Sequence, residues 1–207
     1  MRAIGVVLAL GVFVLARPVF AMEFGVREKT GGGAVVLAQG EIVPGDVGRF
    51  REAVRRAGSV DEVWLASPGG VTREGMDLAR TIRSLGLATR IPGTMCASSC
   101  TFVFLGGTVR TVDPGGRFLV HMFSSSGSPK LLEAVTAVIA KAGPAGAAQV
   151  VKFVEQQSAQ EAAQQAAFVL EMSVSLRLLF PTYNVPNDGV YELTRAELRS
   201  FNVVNSE

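Results

Sequence analysis

Short apolar runs that stop at glycine and proline, each followed by a stretch of helical periodicity, recur through the first half of this chain. Val60–Ala66 is the clearest, a β-rich run halted by Ser67-Pro68-Gly69-Gly70. Upstream, Gly40–Val43 reads as a short strand, Pro44-Gly45 turns the chain, and Phe50, Val54 and Ala57 place an amphipathic helix over roughly 46–57. Downstream, Thr72 is positioned to cap a helix whose inward face is Met76, Ala79, Ile82 and the aliphatic stem of Arg83, with Gly86 as its stop. Ala88–Ile91 is another strand, ended by Pro92-Gly93. A helix starts at about Ser98 and runs through Leu105, and strands near 108–112 and 117–121 flank the turn Asp113–Gly116. Strands alternating with helices at this spacing make βαβ units, so the expected fold class is α/β with a mostly parallel sheet.

The character changes after Ser124. A linker, Ser124–Pro129, precedes a helix over about Lys130–Ala142, which Gly143-Pro144 breaks. From Ala145 to Leu179 no breaker occurs, which predicts one long helix or two abutting ones. Residues 129–180 thus form a helical segment too long to bury itself on one small sheet. Its polar stretch Gln156–Gln165 faces solvent or an oligomer contact. The tail returns to α/β habit, with Tyr191 in a strand-like segment, a helix from Thr194 and the apolar pair Val203-Val204. Residues 22–39, divided by Gly31-Gly32-Gly33, read as an irregular lead-in to a single domain over 40–207.

Residues 1–21 read as a secretory signal peptide: a basic start at Arg2, an apolar run from Ile4 to Leu15, and small residues at Val19-Phe20-Ala21. Arg17 and Pro18 interrupt the run short of the ~20 residues a membrane span needs, so cleavage after Ala21 is preferred over a retained anchor. Two of the 20 basic residues, Arg2 and Arg17, leave with the signal, giving 18 against 18 acidic residues. That neutral balance excludes a nucleic-acid partner, which needs a strongly basic face. The expected location is periplasmic or secreted, with no membrane attachment after cleavage.

Acyl-transfer chemistry is written in three pieces. Ser98 lies among small residues at a helix start, where backbone N–H groups stabilise developing negative charge. His121, the only histidine, ends an apolar run. The N–H groups of Ser99 and Gly70 are candidates for an oxyanion hole, glycine letting the backbone approach a substrate closely. A Pro-Gly-Gly turn alone is commonly a plain strand-to-helix connection, and a lone histidine is commonly a core residue. Their combination at the edges of strands and helices, where open α/β sheets hold their sites, favours a site. Two cysteines and one histidine fall short of the about four ligands zinc takes, so no metal and no cofactor is expected.

In order and nearly in spacing, Ser67-Pro68-Gly69-Gly70-Val71, Gly75-Met76, Ala97-Ser98, Gly107, Arg110, Pro114 and Val120-His121 resemble the proteolytic subunit of Clp protease. More broadly the chain resembles secreted Clp-like members of the crotonase-like superfamily with a Cys-Ala-Ser-x-Cys signature. The likeness covers roughly Gly40–Phe123. It implies ClpP/crotonase-like ββα-type repeats, Ser98 as nucleophile, His121 as general base, and Gly70 and Ser99 as the oxyanion hole. It also implies a histidine-orienting aspartate near the C-terminus, for which Asp188 is the best match; Asn187, Asp113 or a Ser-His dyad are the alternatives. Assembly into a homo-oligomer is implied as well. Cys96 and Cys100 depart from the Clp pattern. Four residues apart at a helix start, their Cα atoms fall ~6 Å apart, within disulfide reach. A bridge would brace the serine loop; a free structural pair or a redox switch are the alternatives.

Three functions compete on these residues. The leading one is an exported serine peptidase or related hydrolase acting on a peptide or small acyl substrate, without an ATP-dependent unfoldase. The second keeps the fold as an inactive scaffold assembling through the long helix. Crotonase-type acyl-CoA chemistry ranks last, because an exported protein does not normally meet coenzyme A. A Ser-Lys dyad is disfavoured too, since Lys130, Lys141 and Lys152 all lie in the late helical segment.

Overall fold

The computed structural model describes residues 21–124 and 128–206. The expected signal peptide, apart from Ala21, and the linker residues 125–127 lie outside them. The segment read as an irregular lead-in is instead a β-hairpin. Strand β1 (Glu23–Glu28) pairs antiparallel with β2 (Ala34–Gln39), Val26 opposite Val36. Gly31, Gly32 and Gly33 all take positive φ and make the turn, so the triplet that looked like a separator joins two strands. β2 was hidden because it is buried nearly throughout and shows no alternation, and β1 because most of its side chains are exposed.

Gly40–Val43 is not a strand of its own. Only single bridges occur there, Glu41 to Ala21 and Ile42 to Gly70, because the chain is leaving one sheet to reach a glycine turn. Helix α1 (Asp46–Ala57) follows, its buried Asp46 carboxylate accepting from the Val43 N–H at 2.7 Å. Next come β3 (Val60–Ala66) and α2 (Thr72–Ser84). Thr72 does not cap α2. Val71 holds the cap position, fixed by its N–H bond to the Ile42 carbonyl, while Glu74 in the first turn accepts the N–H groups of Gly45 and Val47.

The remaining elements are β4 (Ala88–Ile91), β5 (Met95–Ala97), α3 (Ser99–Leu105), β6 (Arg110–Val112), β7 (Arg117–Val120), α4 (Pro129–Glu171), a 3-10 turn (Leu176–Leu178), α5 (Leu179–Asn184), β8 (Tyr191–Glu192) and α6 (Arg195–Ser200). Two sheets form rather than one. The larger runs β1-β2-β3-β4-β6, parallel except for β1; the smaller runs β5-β7-β8, with β5 and β7 parallel. A bridge between Ser67 and Cys96 ties them together. The core between sheets and helices includes Phe50, Leu65, Leu78, Ile82, Phe104 and Phe118, all at most 1% exposed.

Gly143 has φ 55° and ψ −134°, so α4 is two helices meeting at a kink, as Gly143-Pro144 predicts. The second ends at Glu171 rather than Leu179, with Ser173 left-handed at φ 58° and the Val174 N–H returning to the Val169 carbonyl. Only the far end of α4 packs on the domain: Phe168 meets Phe102 edge-on at 5.5 Å, and Glu171 pairs with Arg80 at 2.9 Å. The rest stands exposed, including Leu132, Ile139, Val151, Phe153 and Val154. By length and composition alone α4 is also apolar enough to cross a membrane, with a mean hydropathy of 1.3 over its most apolar window. Buried Arg110 donates to the carbonyls of Val203, Gly107 and Asn202, stitching the C-terminal segment to β6. Burial, then the nearby Arg83 charge, lower its pKa to about 10.

Candidate active site

Ser98 sits at a forced corner. β5 delivers it from Ala97, and α3 begins at Ser99, leaving Ser98 at φ 54° and ψ −129°. A non-glycine residue at positive φ costs on the order of 1–3 kcal/mol and persists only when its surroundings over-determine it. Here they do. Its N–H donates to the Leu119 carbonyl at 3.0 Å, and its carbonyl accepts from the N–H and hydroxyl of Thr101 at 2.9 and 2.6 Å. A disulfide joins Cys96 to Cys100 across it, Cα to Cα 5.3 Å. Of the three cysteine states left open by sequence, this is the bridged one.

The glycine turn lies directly on this corner. Ser67 bridges to β5, its N–H donating to the Met95 carbonyl and its carbonyl accepting from the Ala97 N–H. The Ser67 hydroxyl accepts the Gly69 N–H at 3.1 Å. Gly69 has φ 104°, and a Cβ there would fall 2.6 Å from the Ser98 Cβ. Gly70, at φ 143°, lies so close to Ile42 that a Cβ would fall 2.2 Å from the Ile42 carbonyl oxygen. Neither residue can carry a side chain. Among the described residues the N–H groups of Gly70 and Ser99 donate to no backbone or side-chain acceptor, which leaves them available to an oxygen from outside.

His121 follows β7, the strand that pairs with β5 through Leu119 opposite Ala97. Ser98 and His121 therefore leave the ends of adjacent parallel strands about 4.8 Å apart. Both line one small cavity of about 30 Å³. No hydrogen bond links the two side chains among the described residues. His121 Nδ1 lies 2.9 Å from the Met122 carbonyl, which can only accept, so Nδ1 carries the proton and Nε2 is the basic nitrogen of the neutral ring.

Asp188 is exposed in the turn before β8 and has no hydrogen-bond or ion-pair partner among the described residues. It is not brought to His121, whose Nδ1 already rests on a carbonyl. The two are nonetheless near in the chain path, since the Met122 N–H donates to the Val185 carbonyl three residues before Asp188. Asp113 is committed elsewhere, paired with Arg90 at 2.7 Å, and Asn187 is exposed. Tyr191 donates to Glu197 at 2.8 Å, and Thr194 and Glu197 form the capping box of α6. These contacts, the Thr194 N–H first, hold the Glu197 carboxyl below its ordinary value.

Sequence reasoning missed the cavity's other polar wall. Gln165, in the stretch read as solvent-facing or an oligomer contact, is 2% exposed and lines the cavity. Its Oε1 accepts from the Tyr183 hydroxyl at 3.1 Å, and its Nε2 donates to Glu161 at 2.9 Å. Burial, and secondarily Glu161, push the Tyr183 phenol up to about 12. The only signal in the sequence was the place of Gln165 at the very end of the polar run, three residues before Phe168. Among the described residues no three His, Cys, Asp or Glu cluster as metal ligands.

No protein-family model matches this chain, and no curated protein does. Among solved structures it superposes on a point mutant of ClpP1 from Listeria monocytogenes with a TM-score of 0.51 and 16% identity, over 83% of this chain and 88% of that one. At that identity the likeness speaks to architecture. The chain has a ClpP-like α/β fold with a mostly parallel sheet and a long C-terminal helix.

Proposed function

We propose that this protein is an exported serine hydrolase, of ClpP-like peptidase type, acting on a peptide or small acyl substrate. One observation carries the reading: Ser98 is held at positive φ and lines one cavity with His121, while the adjacent glycine turn and helix start leave the N–H groups of Gly70 and Ser99 without acceptors among the described residues. Ser98 Oγ attacks the substrate carbonyl carbon while His121 Nε2 takes its proton. The carbonyl oxygen, now negative, is received by the N–H groups of Gly70 and Ser99. His121 then gives the proton to the leaving group. A water, deprotonated by the same nitrogen, cleaves the acyl-enzyme and returns Ser98. The Met122 carbonyl fixes the tautomer, so a Ser-His dyad suffices, with Asp188 the candidate third member if its turn closes on the histidine.

Residues 1–21 serve as the export signal in this reading, and a periplasmic or secreted site gives the disulfide its oxidising compartment. Exposed Val151, Phe153 and Val154 on α4 support assembly with further copies of the chain, and no ATP-driven unfoldase is invoked. A second reading, an inactive scaffold, is favoured by one observation: among the described residues His121 has no carboxylate partner and no hydrogen bond to Ser98. Fluorophosphonate labelling of the mature protein beside Ser98→Ala and His121→Ala separates them. Labelling lost in both variants supports the hydrolase; a folded, unlabelled wild type supports the scaffold.

A further inference from the structure

The cavity beside Ser98 is lined by five polar side chains that the hydrolytic steps do not use, those of Thr72, Ser99, Thr101, Gln165 and Thr182. Ser99 Oγ is the one buried side-chain nitrogen or oxygen among the described residues without a hydrogen-bond partner, and its residue is 1% exposed. A buried hydroxyl left unpaired is costly, and Ser99 is a lining residue of the cavity, so a small polar group entering there is the partner its hydroxyl lacks. Gln165, facing the same cavity from α4, is equally buried. Its carboxamide has two N–H donors and two acceptor lone pairs, of which Glu161 and Tyr183 take one each. One donor and one acceptor remain.

Thr72 is half-buried at the cavity's edge, and two of the other neighbours do not compete for them. The Thr101 hydroxyl donates to the Ser98 carbonyl and the Thr182 hydroxyl to the Leu178 carbonyl, both satisfied within their own turns. Phe102 and Val120 complete the wall with apolar surface. The space is about 30 Å³, and a water occupies roughly 10–15 Å³ by this measure. A group of two or three heavy atoms fits in this space without rearrangement.

We infer that Ser99 and Gln165 form a specificity subsite, resting on the hydrolase reading, that selects an acyl group whose side chain beside the scissile carbonyl is a short alcohol, as in serine or threonine. The substrate hydroxyl donates to one of these groups and accepts from the other. An apolar side chain of the same size leaves Ser99 Oγ and the free carboxamide valences buried and unpaired, which is the physical basis on which such sites reject isosteres.

The test compares the p-nitrophenyl esters of N-acetyl-threonine and N-acetyl-valine, which share shape and differ by a hydroxyl for a methyl, on the mature full chain. Wild type should favour threonine in kcat/KM by at least about ten-fold. Gln165→Leu should bring the ratio close to one, through lost threonine turnover rather than a loss common to both esters; Ser99→Ala, at a residue of the proposed oxyanion hole, is read by the ratio alone, which should also approach one. A labelled, active enzyme that favours valine, or a ratio unmoved in both variants, overturns the subsite and leaves the hydrolase standing. Ser99→Ala serves alone if Gln165→Leu does not fold. Fluorophosphonate labelling reports Ser98 separately. If wild type is neither labelled nor active, N-acetyl-threonine amide and N-acetyl-valine amide are compared by saturation-transfer NMR. Preferential threonine binding then keeps the subsite without the hydrolase, and equal or absent binding overturns it.

Discussion

The N–H of Ser98 donates to the carbonyl of Leu119, two residues before His121. One backbone bond thus sets the spacing between the proposed nucleophile and its base. It belongs to the pairing of β5 with β7, so the relation depends on a three-residue strand whose other side is held by Ser67.

The bridge across Ser98 closes a short loop, for which the chain-entropy account gives about 2 kcal/mol. Cys96→Ala with Cys100→Ala should lower urea-measured stability by about that much. Fluorophosphonate labelling should fall further than stability alone explains, because Ser98 loses one of the constraints on its positive φ. Labelling unchanged in the folded variant would show that the hydrogen bonds to Leu119 and Thr101 suffice.

Gly70→Ala should be severely destabilising, by about 4 kcal/mol or more, because its Cβ meets backbone that cannot yield. Gly69→Ala should do comparable harm and disturb Ser98 directly. Gly32→Ala is the control: it also sits at positive φ, but nothing lies within 4 Å, so only the conformational cost of about 1 kcal/mol applies. Denaturant midpoints of the three variants rank the effects.

Burial holds the Tyr183 phenol at about 12 against an ordinary 10.0. Below pH 10 both folded and unfolded chains keep the proton and the contribution is whole. Between 10 and 12 the unfolded chain releases it first, so the folded state binds more protons and stability falls as pH rises. Tyr183→Phe should flatten that alkaline limb. Tyr191, raised by its bond to half-buried Glu197, is the only other tyrosine, and Tyr191→Phe controls for it.

The proposed assembly through α4 predicts that Val151→Asp with Phe153→Asp shifts the mature protein to a smaller species in sedimentation velocity while its circular dichroism is preserved. Both side chains are about half exposed in the single chain, so the change costs little in the monomer. An unchanged sedimentation coefficient would remove α4 from any interface.

Much of this architecture was legible. β3, β4 and α1 fall where apolar periodicity and Pro-Gly punctuation place them, and the kink at Gly143 follows from its proline neighbour. β2 was not, because a fully buried strand carries no alternation. The early end of α4 was hidden too, since Ser173 adopts a left-handed φ that no glycine announces. At the candidate site, residue type and order singled out Ser98 and His121, and the fold brings both to the wall of one cavity. Gln165 was not: a glutamine near the end of a polar run looks solvated until tertiary packing of Phe168 turns it inward.

Cys96 and Cys100 are both sealed from solvent once α3 lies against α2 and β7. Any oxidant must therefore reach the two thiols before that closure, which imposes a chronology on maturation. The corner at Ser98 acquires its brace only in a chain that is still open and has already met an oxidising environment. Copies that finish folding beforehand would carry the serine without its clasp, so the order of oxidation and closure decides which copies are armed.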